Sequence, residues 1–82
     1  MNPKDHPCYE MLKKHEGRVF RLTFSDGDVV RAKVDWVDRD ENHDFLMDVV
    51  EVIAANDPRR YRIGTESYAT QFAELIAAEL EN

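Results

Sequence analysis

Residues 18–36 read Arg18-Val-Phe-Arg-Leu-Thr-Phe-Ser-Asp-Gly-Asp-Val-Val-Arg-Ala-Lys-Val-Asp-Trp36, and the period of this stretch decides the fold. Phe20, Leu22 and Phe24 alternate with Arg21 and Thr23, the two-residue repeat of a strand with one buried face. Ser25-Asp26-Gly27-Asp28 interrupts the run as a tight turn, with Gly27 supplying the positive φ such turns need. Val30, Ala32, Val34 and Trp36 then alternate with Arg31, Lys33 and Asp35, so a long second strand returns along the first. That phase places Trp36 in or beside the core, with an indole N–H that needs a partner.

Upstream, Pro7 suits the first turn of a helix, and Cys8, Met11, Leu12 and His15 fall on one helical face. Glu10 early, Lys13 and Lys14 late, and Gly17 as the stop agree with a helix over 7–16. Downstream, the polar run 38–44 reverses the chain into a third strand over about 44–53, whose longer apolar run predicts burial on both faces over part of its length. Asn56-Asp57-Pro58 is a turn, and Arg59-Arg-Tyr-Arg-Ile63 reads as a short fourth strand. The tail has two readings. Tyr68, Phe72, Leu75, Ile76 and Leu80 share one face of a single helix, which the Ala, Glu and Leu content favours. Alternatively, 71–75 is one helical turn and 76–80 a closing strand, which would relieve the exposed edges of a bare meander. The second reading is preferred on that ground.

Eighty-two residues form one domain, 1–82, which buries roughly 60% of its unfolded surface and so has a marginal core of its own. Cys8 is the only cysteine, which excludes an internal disulfide and suits a reducing compartment. No apolar run approaches a membrane span and the N-terminus lacks a signal-peptide pattern, so the expected location is cytoplasmic. Oligomerisation remains as the expected extra source of stability. A net charge of −6 disfavours free nucleic acid as an overall partner.

From Leu22 to Phe45 the chain resembles the first signature block of the Sm-like small barrels. The residues that carry the likeness are Phe24-Ser25-Asp26-Gly27, Val30-Arg-Ala-Lys-Val34 and Asp38-Arg-Asp-Glu-Asn42, with Phe45 as the apolar residue after the loop. Ala32 stands where that family usually has glycine, and Arg62-Ile63-Gly64 is a loose echo of the family's second block. The resemblance implies a mainly β fold with a helix, a small SH3-like or Sm-like barrel of about five antiparallel strands (18–24, 28–37, 44–53, 59–63 and 76–80) behind an N-terminal α-helix. It also implies an RNA-facing loop containing Asp38, Asn42 and His43.

Asp38-x-Asp40-x-Asn42-x-Asp44 has the spacing of the first ligands of a calcium loop, but His43 and Val49 occupy the positions that need glycine and a bidentate glutamate. A solvated acidic loop is the expectation, with no metal and no cofactor. Arg59-Arg60-Tyr61-Arg62 is a basic cluster with a stackable ring, so Arg60 and Arg62 join the RNA-contact candidates; a basic edge strand paired to carboxylates is the structural alternative. Cys8 and His15 are about 10.5 Å apart along a helix axis, too far for a nucleophile and its base, and Cys8 is expected as a packed thiol. No phosphate loop, zinc spacing or nucleophile elbow is present, so the chain is not expected to be an enzyme or to take a small-molecule substrate. The leading expectation is a non-catalytic assembly or protein-binding module that self-associates through strand edges, using Val49, Val52, Ile53, Ile76 and Leu80. The alternatives are an RNA-binding Sm-like ring protein and a monomeric accessory domain of a larger complex.

Overall fold

The two-residue period that starts at Val19 is realised as a β-meander. In the computed structural model, which describes residues 6–37, 44–61, 63 and 68–81, β1 (Val19–Phe24), β2 (Val29–Val37) and β3 (Asp44–Ala54) run antiparallel in sequence order. The turn between β1 and β2 closes with Gly27 N–H donating to Phe24 O at 3.0 Å, and Gly27 takes φ +95°. Asp28 N–H donates to the Asp26 carboxylate at 3.0 Å, the side-chain-to-backbone bond that makes aspartate a turn former.

Two further strands complete the sheet. β4 (Tyr68–Gln71) pairs with Asp44–Met47 of β3, and β5 (Leu75–Leu80) pairs with β1, giving the order β4-β3-β2-β1-β5. A single 3-10 turn, Phe72–Glu74, joins β4 to β5. The tail is therefore the turn-plus-strand alternative and not one helix. Phe72 explains the choice: as part of the tight turn it is wholly buried, with its ring 5.0 Å from Phe45 and 5.6 Å from Tyr9. The five strands curl into a half-barrel, and the Cα radius of gyration of 11.6 Å matches the value of about 12 Å expected for a compact chain of this length.

Among the described residues of 59–63 the expected strand is not formed. Pro58–Arg60 is a 3-10 turn, held where Arg59 N–H and Nε donate to the Asp57 carboxylate at 3.1 and 3.2 Å. Local side-chain bonding outcompetes the strand there, and the fourth strand lies further along, at Tyr68–Gln71.

α1 is shorter than its pattern, Tyr9–Lys14, and its inward face is Cys8, Tyr9 and Leu12, while Met11 is exposed. The exit of α1 is tied to the sheet: Gly17 N–H donates to Val34 O, and the Glu16 carboxylate accepts Val37 N–H at 2.8 Å.

Four irregularities bend the ladder. Asp35 is surplus on β2, Val50 and Ile53 on β3, and Ile76 on β5, each facing no partner in the register. A surplus residue inverts the alternation beyond it and tightens the local twist. Trp36 is accordingly 49% exposed and Val37 wholly buried, the reverse of the unbroken alternation. The apolar run of β3 is likewise not buried on both faces. Phe45, Met47 and Val49 point inward, Val50 and Ile53 bulge out, and Val52 packs against the core from its edge.

Candidate functional site

Asp28 is a charged residue buried to 1% exposure at the start of β2. An ion there is costly unless hydrogen bonds replace its water. The chain supplies them from the segment after β3: Asn56 donates its backbone N–H at 3.0 Å and its side-chain amide at 3.1 Å, and Tyr61 donates its hydroxyl at 2.6 Å. Arg60 lies 3.6 Å from the same carboxylate and 3.1 Å from Asp26, with its guanidinium 5.5 Å from the centre of the Tyr61 ring. The Tyr61 hydrogen bond, and then that of Asn56 N–H, hold the Asp28 carboxyl below the ordinary aspartate value. Burial, and then the bond to Asp28, push the Tyr61 phenol well above its usual range.

Beside this cluster lies a cavity of about 200 Å³. Its apolar lining is Phe24, Met47, Ala69 and the Tyr61 ring; its polar lining is Ser25, Asp26, Arg60, Thr70 and Glu74. Ser25 N–H donates to Glu74 O at 2.8 Å, fixing the β1–β2 turn against the 3-10 turn across the mouth.

The other sequence candidates disperse. Asp38, Asn42, His43 and Arg62 lie outside the described residues, as do Asp38, Asp40 and Asn42 of the calcium-like spacing. Among the described residues no group of three or more His, Cys, Asp or Glu is placed to hold a metal ion. Arg60 is engaged with two carboxylates. Val49 is wholly buried opposite Ala32 and belongs to the core, so it offers no surface to a neighbour. Val52 and Leu80 are partly buried against that core, whereas Ile53 and Ile76 are exposed. Cys8 is buried, and burial raises its thiol above the ordinary value while a backbone hydrogen bond from Ala78 acts the other way.

Asp28 and Asn56 were not legible as site residues. Each reads as a turn former in sequence, and only the long-range register brings them within hydrogen-bond reach. Compared with protein-family models, with curated proteins and with solved structures, the chain shows no significant match.

Proposed function

We propose that this chain is a non-catalytic assembly or protein-binding module that associates with copies of itself through its strand edges. The observation that carries this reading is the open sheet. Among the described residues β4 pairs only with β3, β5 pairs only with β1, and β4 covers only the Asp44–Met47 portion of β3. Open edges usually carry lysine, proline or inward charge as protection. The segments Tyr68-Ala-Thr-Gln71 and Leu75-Ile-Ala-Ala-Glu-Leu80 carry no lysine and no proline, and Ile76 is 60% exposed at the surplus position of β5.

Arg60 supports this reading over the nucleic-acid one. Its charge already meets Asp26 and Asp28, so a phosphate would have to displace two carboxylates inside a chain of net charge −6. The deciding measurement is native mass by light scattering at two protein concentrations. A closed oligomer is expected. A monomer at both concentrations would overturn self-association and leave an accessory domain for a different partner. A salt-sensitive complex with short oligoribonucleotides would favour the Sm-like ring instead.

A further inference from the structure

The cavity beside Asp28 has a chemistry that edge pairing does not use. At about 200 Å³ it is smaller than the roughly 300–1,000 Å³ of small-molecule sites, a size that suits one side chain better than a nucleotide or a cofactor. Part of its lining is apolar and buried, Phe24 and Met47, with Tyr61 beside them.

Its charge is unbalanced. The guanidinium of Arg60 is matched by Asp26 at 3.1 Å and by Asp28 at 3.6 Å behind it. Glu74 is an exposed lining residue, and among the described residues its carboxylate takes part in no hydrogen bond or ion pair; its backbone carbonyl accepts Ser25 N–H. Ser25 and Thr70 add hydroxyls to the same lining. Buried apolar lining together with a carboxylate that no described residue matches complements an aliphatic stem with a cationic head, which buries its methylenes and keeps its charge in water. A neutral apolar group would leave Glu74 unmatched, and among the described residues an anion would meet Asp26, Asp28 and Glu74 with Arg60 already committed to the first two.

We infer that this cavity takes a lysine or arginine side chain presented by a partner protein. The inference rests on the protein-binding part of the reading above and adds a recognition site to it. It uses Glu74 of the 3-10 turn with Ala69 and Thr70 of β4, and none of its lining lies on β5.

The test is a titration of the full chain, followed by amide NMR shifts, with three probes: Nα-acetyl-lysine methylamide, the arginine analogue, and the uncharged norleucine analogue. The cationic probes are expected to move the amides of Phe24, Ser25, Met47 and Thr70 saturably, and the lower half-saturation identifies the head group. Glu74→Gln should weaken that binding about fivefold, the size of an exposed ion pair, and added salt should weaken it in the wild type. Equal binding of norleucine, no saturable shifts at these amides, or an unchanged Glu74→Gln titration would each overturn the proposal. Glu79→Gln, an exposed carboxylate on β5 away from the cavity lining, is the control that should bind as wild type. A monomeric native mass would remove self-association and leave this titration unaffected, so the two failures are distinguishable.

Discussion

Tyr61 donates its hydroxyl to the Asp28 carboxylate at 2.6 Å, joining residues 33 apart in the chain. That bond closes the segment after β3 over the first turn of the meander, and it makes a buried ion tolerable. Removing the donor while keeping the ring isolates its contribution. Tyr61→Phe should lose about 1.5–3 kcal/mol, the range for hydrogen bonds to charged groups. Urea unfolding at neutral pH measures it, and a loss below about 0.5 kcal/mol would show that water replaces the phenol.

The same carboxylate predicts an acid limb of stability. Its folded pKa lies below the ordinary 3.8, so the unfolded chain binds the proton more readily. The site's contribution is therefore complete above the unfolded value and is lost as pH falls through the folded one. Asp28→Asn should be less stable than wild type at neutral pH, with a shallower decline on acidification. Parallel acid limbs for the two proteins would assign the linkage to other carboxylates.

Phe72 is the hub of the ring cluster, with centroids at 5.0 Å to Phe45, 5.6 Å to Tyr9 and 5.5 Å to His6. Phe72→Ala should cost about 3–5 kcal/mol. A domain of this size has a total stability of about 4–12 kcal/mol, so much of the population should unfold. Phe72→Leu, which keeps most of the apolar volume but loses the ring contacts, should cost less than the alanine change, and circular dichroism on heating separates the two outcomes.

Gly27 takes φ +95° with nothing within 4 Å of an added Cβ. Gly27→Ala should therefore cost only the left-handed backbone conformation, about 1–2 kcal/mol, without a steric addition. A larger loss in the denaturation midpoint would mean that the β1–β2 turn itself rearranges.

Ile76→Glu places a charge at the surplus position of β5. In the edge-association reading it should lower the native mass to that of one protomer and change monomer stability by no more than about 0.5 kcal/mol. An unchanged oligomer would move the interface away from β5.

Much of the fold was legible because its strands carry a plain two-residue period. Phe20, Leu22 and Phe24 face the core as read, and so do Val30, Ala32 and Val34. Trp36 was placed by extending that period past a surplus residue, and the third strand was read as buried on both faces from its apolar run, where Val50 and Ile53 instead bulge out; nothing in side-chain chemistry marks where a ladder slips. The fourth strand was misplaced because Asp57 bonds Arg59 locally, whereas Tyr68-Ala-Thr-Gln71 has too few apolar positions to show a period. Of the candidate site, Arg60 and Tyr61 were visible as a basic aromatic cluster. Their engagement with Asp26 and Asp28 depends on contacts more than thirty residues apart, which no local pattern encodes.

The inward positions Val34 and Val37, Val49 and Val52, and Leu75 and Ala78 are each three residues apart, where a regular strand would space them by two. The curl of the sheet is thus written as a count and not as a chemistry. Replacing Val50 by any other side chain leaves the count intact. Deleting it restores regular spacing, keeps each inward residue facing inward and straightens that part of β3. Length changes of one residue ordinarily invert a strand and destroy its core. At these positions a one-residue deletion should instead change the curvature of the sheet and leave its inward set unchanged.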